Sequence, residues 1–161
     1  MQKPPLSPPP VDLAKRARLK ALIAAKSVLR GGDFTLASGG RSGVFFDMKM
    51  TLLDPEGLNL VADLMLQSIA DEAVDAVGGL VLGACPIVDA LVLKGYPARR
   101  LLGFYVRKEP KERGTNKLIE GPLAPGAACA MVEDVTTEGR SVLKAIAEAR
   151  ALGCTVKTVL T

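Results

Sequence analysis

Val132-Glu-Asp-Val-Thr-Thr-Glu-Gly-Arg-Ser141 joins the end of an apolar run to two carboxylates and then to a small, hydroxyl-rich turn. Upstream, Ala127 to Val132 is compact and apolar enough for a buried parallel strand. Downstream, Val142, Leu143, Ile146, Ala149 and Leu152 recur at helical spacing over Ser141 to Leu152. The stretch therefore reads as a strand-loop-helix corner. Free amides in a first helical turn, with the helix dipole behind them, favour an anion. Carboxylates at the C-terminal edge of a strand can accept hydrogen bonds from a sugar diol, and Thr136, Thr137 and Ser141 add hydroxyl donors. A sugar phosphate meets all of these groups. Taken alone, Glu133 and Asp134 also read as a strand cap beside a solvated loop.

Working outward, Val11 to Arg30 reads as an amphipathic helix packing through Leu13, Ala17, Leu22, Ile23 and Val28, with Gly31-Gly32 as its stop. Phe34 to Leu36 and Val44 to Met48 read as two short strands around Ser38-Gly39-Gly40-Arg41-Ser42. Asp54 caps a helix that has Pro55 at its first position and runs to about Ala73. A buried strand at Gly79 to Leu82 leads through Gly83-Ala84-Cys85-Pro86 into a helix ending near Leu93. A strand at Leu101 to Val106, a charged loop from Arg107 to Gly121, the quoted corner and a strand at Thr155 to Leu160 complete the order. The alternation predicts an α/β fold: a mainly parallel sheet, helices on both faces, and ligands at the C-terminal strand edges.

At 161 residues and 48% hydrophobic content the chain fits one domain with its own core. Five prolines in the first ten residues make 1–10 a disordered, polyproline-like tail, leaving 11–161 as the domain. Cys85, Cys129 and Cys154 show neither metal nor disulfide spacing, so reduced thiols and a cytoplasmic location are expected. No apolar run is long enough to span a bilayer, and no membrane partner is expected. A net charge of +4 suits an anionic ligand. With four Phe, two Tyr and no Trp, no basic stretch interleaves with aromatics for base stacking, which argues against nucleic acid.

Four co-linear stretches carry a resemblance. They are Phe34 to Asp47 (FTLASGGRSGVFFD), Gly78 to Ile87 (GGLVLGACPI), Tyr105 to Gly121 (YVRKEPKERGTNKLIEG) and the quoted corner. The corner resembles the phosphoribosyl-diphosphate (PRPP) signature of type I phosphoribosyltransferases. Together the four resemble the orotate phosphoribosyltransferases from about Leu29 onward. The resemblance implies a small hood over about residues 11–50 above a core over about 51–161. It implies transfer of ribose 5-phosphate from PRPP to orotate, giving orotidine 5'-phosphate and pyrophosphate in pyrimidine biosynthesis. It also implies magnesium carried in with the PRPP, no metal held by the protein alone, and a homodimer.

On that resemblance Glu133 and Asp134 hold the ribose hydroxyls, and Asp134 lies near the transition-state charge. Val135, Thr136, Thr137, Glu138, Gly139, Arg140 and Ser141 cradle the 5-phosphate, and Thr137 also contacts orotate. Arg107, Lys108, Lys111 and Arg113, with Lys117, form a cationic loop over pyrophosphate, in which Lys111 and Arg113 join Asp134 as the catalytic set. Without the resemblance such a run reads as a solvated loop. Phe45 and Phe46 align with the orotate-binding pair, and either side chain considered singly reads equally as hood core. Gly83 to Pro86 corresponds to the pyrophosphate-binding loop.

The chain departs from the family pattern at several of these positions. It has no histidine, and Arg113 stands where a loop histidine is usual. Glu138 and Arg140 occupy positions that are usually small, and the family's acceptor-recognition arginine falls beyond Thr161. Two readings follow: an active orotate phosphoribosyltransferase, or a noncatalytic PRPP- or nucleotide-binding regulatory paralogue.

Overall fold

The computed structural model describes residues 12–35, 39–110 and 117–161; the proline-rich segment 1–10 lies outside them. The central sheet has the order β5-β4-β3-β6-β7, with β3 Ala76–Leu80, β4 Leu102–Val106, β5 Ile119–Glu120, β6 Ala128–Val132 and β7 Thr155–Leu160. β3, β4, β6 and β7 run parallel, and β5 closes one edge antiparallel to β4.

Strand periodicity sorts the core into two layers. Val77 of β3 and Ala130 and Val132 of β6 face helices α3 (Pro55–Ser68) and α4 (Cys85–Gly95), where Val61, Ala62, Ile87, Val88 and Leu91 are buried. Ala76 and Leu80 of β3, with Cys129 and Met131 of β6, face α5 (Arg140–Ala151) through Val142, Ala145 and Ala149. Burial on both faces explains why β3 and β6 read as continuous apolar runs rather than alternating ones. The expected α/β layering is therefore present.

Helix α1 (Leu13–Lys26) and the antiparallel ribbon of β1 (Val28–Thr35) and β2 (Arg41–Phe46) stand apart from the sheet. Asp12 caps α1 by accepting from the Lys15 amide. The helix lies along α3 through Lys15–Asp63 at 2.7 Å, Arg18–Glu56 at 2.6 Å and Lys26–Asp54 at 2.5 Å. Leu22 is buried and Leu19 packs on the core, whereas Leu13 is 73% exposed and Ala17 also faces outward. A short helix α2 (Lys49–Leu52) then leads to α3. The ribbon joins it through a buried hydroxyl pair, Ser27 to Thr51 at 2.6 Å. Among the described residues, no helix is long and apolar enough to cross a membrane.

Three sequence expectations are corrected. The first helix ends at Lys26, not Arg30, because Gly31 and Gly32 sit within β1. There the register shifts between Arg30 and Phe34 and Gly31 has φ +76°, so the glycines serve a strand irregularity rather than a helix stop. The third helix ends at Ser68 rather than near Ala73. Beyond it the Arg99 guanidinium donates to the carbonyls of Ile69, Glu72 and Val74, holding the chain in a turn into β3. The strand expected at Gly79 to Leu82 lies at Ala76–Leu80, and Val81 and Leu82 already belong to the following turn.

Charge-assisted bonds of this kind are worth roughly 1.5–3 kcal/mol when a partner is lost. Arg99→Ala is expected to lower unfolding stability by about 2 kcal/mol, read as a shifted urea midpoint at unchanged slope. Arg99→Lys should recover only part of it, because a single ammonium cannot reach all three carbonyls. An unchanged midpoint would remove Arg99 as the clamp.

Candidate functional site

Parallel neighbours present their C-terminal ends at the same edge, so the turns after β3 and β6 meet there. Glu133 and Asp134 leave β6 at this edge, and the Glu133 amide donates to the Leu160 carbonyl of β7 at 3.0 Å. Gly83, in the turn after β3, approaches so closely that a Cβ added to it would lie 2.2 Å from Asp134 Oδ1. The Asp134 carboxylate thus rests on bare backbone, a contact no larger residue at 83 would permit. Glu133 is only 7% exposed. Burial, and then the adjacent Asp134 charge, push its pKa up to about 7, with Lys108 opposing.

Glu133 and Val135 to Ser141 line a hollow of roughly 60 Å³. At about 30 Å³ per water, that is room for a small anion and too little for a sugar ring. Gly139, at φ +74°, turns the chain into α5 with no side chain capping the helix. The first-turn amides are therefore left for a ligand. Thr136 is steadied by the Thr161 hydroxyl at 2.9 Å. Glu138 pairs with Arg140 at 2.7 Å, so its charge is offset within the cradle itself.

Beside this hollow lies a cleft of roughly 550 Å³, within the usual range for small-molecule sites. Glu133 and Asp134 form its polar end, and Met48, Leu52 and Val159 line its apolar part. Arg16, Leu19 and Ile23 of α1 complete the wall, which sequence reasoning missed. Their spacing of three and four places them on one helical face, and of the three only Ile23 is among the packing residues that the sequence pattern singles out.

The cationic loop starts at the end of β4. The Arg107 amide donates to the Leu118 carbonyl at 2.8 Å, and its guanidinium lies 3.6 Å from Glu120. Lys108 has an exposed side chain, and its carbonyl accepts from Lys144 of α5. Lys117 is exposed, while Lys111 and Arg113 lie outside the described residues. Phe45 and Phe46 are 36% and 47% exposed, so neither is hood core. As consecutive strand residues they point to opposite faces of the ribbon. Phe45 stacks on Phe34 with ring centroids 5.5 Å apart, so the two rings do not converge on one ligand face.

No family model matches the chain. It is similar to the orotate phosphoribosyltransferase of Rhodopseudomonas palustris (strain BisB5), at 45% identity over 92% of this chain and 81% of that protein. It is 43% identical to the enzyme of that name from Bradyrhizobium diazoefficiens, with the same coverage of both chains. Among solved structures, Mycobacterium tuberculosis H37Rv orotate phosphoribosyltransferase in complex with PRPP matches with a TM-score of 0.73 and 34% identity, over 90% of this chain and 80% of that one. An adenine phosphoribosyltransferase from Thermoanaerobacter pseudethanolicus, 12% identical with a TM-score of 0.66 over 88% of this chain and 84% of that one, shares the fold alone. Relatives of this identity and coverage place the chain in the orotate phosphoribosyltransferase family.

Proposed function

We propose that this chain transfers ribose 5-phosphate from PRPP to N1 of orotate and that the β6–α5 corner is the seat of the sugar phosphate. The observation that carries this assignment is the small uncapped hollow of Val135 to Ser141 opening beside the Glu133–Asp134 end of the larger cleft. The hollow takes the 5-phosphate, the carboxylates take the ribose hydroxyls, and the cleft takes the acceptor ring. Arg107 and Lys108, with Lys111 and Arg113, balance the departing pyrophosphate.

Bond breaking at the anomeric carbon leaves positive character on the sugar and negative charge on pyrophosphate, so no covalent enzyme intermediate is needed. Asp134 lies beside the cation and the loop cations beside the anion, and preorganised charge of this kind lowers the barrier. Phe45 and Phe46 contribute to orotate chiefly through the ribbon backbone, since their rings diverge. Thr137, exposed at the mouth of the cradle, contacts the acceptor. The paired Glu138 and Arg140 remove the repulsion that would favour a noncatalytic paralogue.

Among the described residues, no three His, Cys, Asp or Glu side chains converge to hold a metal. Glu133 and Asp134 nevertheless offer adjacent hard oxygens, a donor set that fits magnesium arriving with PRPP oxygens and water. When bound, the ion would neutralise pyrophosphate charge. The working unit is a homodimer, for which Leu53 and Leu93, 72% and 80% exposed, offer apolar surface. The free thiols of Cys85, Cys129 and Cys154 support a reducing, cytoplasmic setting.

Three outcomes test this assignment. Mixed with PRPP, orotate and magnesium, the protein should consume orotate absorbance, and Asp134→Asn should lower kcat by about a hundredfold or more; full turnover in that variant would reject the site. Gly83→Ala should displace the Asp134 carboxylate and lower kcat by about ten- to a hundredfold, with the melting midpoint near wild type. Equal loss of stability would instead show a packing defect. Glu133 must be ionised to serve the ribose diol best, so kcat/KM for PRPP should rise with pH through an inflection near 7. Glu133→Gln should abolish that inflection; its persistence would assign it to another group.

A further inference from the structure

The phosphate hollow is an unexpected place for acids. Two of its eight lining residues, Glu133 and Glu138, carry carboxyl groups, and among the described residues Arg140 is the one cation that lines it. Residues two apart do not face one another on a helix. Here Gly139 stands between Glu138 and Arg140 at φ +74°, and α5 begins only at Arg140. The chain reverses at the glycine and brings the two side chains together, Arg140 Nη2 to Glu138 Oε2 at 2.7 Å.

Both side chains are exposed. A surface pair of this kind is weak, because water screens the attraction and two long side chains must be held in one place. A guanidinium has five N–H donors in a planar fork, so contact through Nη2 leaves donors over for a second acceptor. A phosphate monoester in the hollow would be that acceptor. It carries more negative charge than a carboxylate, and the fork of an arginine matches two of its oxygens at once. The first-turn amides of α5 meet the anion from the backbone side, and Arg140, the first residue of that helix, adds a side-chain donor at the same hollow.

We propose that Arg140 is a side-chain ligand of the sugar's 5-phosphate and that Glu138 is its internal competitor, holding the guanidinium at the hollow and yielding it to the phosphate. This rests on the assignment of the hollow to the 5-phosphate and goes beyond it. The pair is more than neutral, since the phosphate exchanges a weak partner of Arg140 for a stronger one. Glu138 thereby sets how tightly the seat holds a sugar phosphate.

The test uses calorimetry on the full chain to compare ribose 5-phosphate with magnesium pyrophosphate, which lacks the 5-phosphate. The variants are Glu138→Gln, Arg140→Met and the two combined, with melting midpoints alongside. Glu138→Gln should bind ribose 5-phosphate about threefold to tenfold more tightly than the unaltered protein, and Arg140→Met about tenfold more weakly. The double variant separates a working ligand from a self-cancelling pair. It should bind about threefold to tenfold more weakly than the unaltered chain, because the guanidinium that the phosphate uses is gone. Pyrophosphate affinity should be unchanged throughout, and the midpoints should agree because both side chains are exposed. A double variant equal to the unaltered protein overturns the proposal, as the pair then only cancels itself. Glu138→Gln binding no more tightly also overturns it, and so does a parallel shift for pyrophosphate, which would mark a diffuse field rather than a contact. No ribose 5-phosphate binding by the unaltered protein is a different failure, since it overturns the seat along with the proposal.

Discussion

β3 and β6 lie side by side in the sheet, and their residues alternate between a layer under α3 and α4 and a layer under α5. Ala76, Val77, Cys129, Ala130 and Met131 are fully buried, so neither strand can shift by one residue without exchanging the contents of both layers. That double burial fixes the register of Ala76 against Cys129 and Gly78 against Met131. It therefore fixes where each strand stops. Two short turns, one carrying Gly83 and the other Glu133-Asp134, emerge at a single edge because the strands beneath them have no other register. The chemistry inherits its precision from packing several residues below it.

The hood is held differently. Its ion pairs to α3 run between partly exposed side chains, and such pairs contribute little individually. The Ser27–Thr51 hydroxyl pair is fully buried, and losing either partner would strand the other away from water. A sheet edge thus faces an α1-and-ribbon unit that the described residues attach through the packing of Leu19 and Leu22, the buried Ser27–Thr51 pair and a rim of surface charge. This division suits a site that must enclose a sugar and release it, because the parts needing fixed geometry lie on the sheet side.

Much of this was legible because it is local. The Thr155 to Leu160 strand lies where the order of elements places it, and Asp54-Pro55 starts α3 where cap and first-turn proline predict. The errors arose where a distant partner overrode a local signal. Gly31-Gly32 carries a helix-stop signature, but pairing with β2 draws Val28 to Thr35 into a strand and uses the glycines at its irregularity. Residues after Ser68 keep helical composition, but Arg99, thirty positions beyond Ile69, takes the carbonyl that a further turn would use.

The site divides along the same line. The phosphate hollow was readable because its lining residues from Val135 to Ser141 are contiguous, so sequence order and spatial order coincide. The Gly83 contact with Asp134 spans two strands, and the α1 wall of the cleft lies more than a hundred residues from the carboxylates it faces. Neither leaves a local trace beyond a small residue in a turn and an apolar stripe on a helix. Glu138 shows the converse. As a single letter in a phosphate cradle it argues against anion binding, yet Arg140, two residues on, brings its guanidinium to 2.7 Å and cancels the charge. The net charge of a site is set by which side chains the backbone lets meet, and a substitution that looks hostile in one position is neutral once its partner is counted.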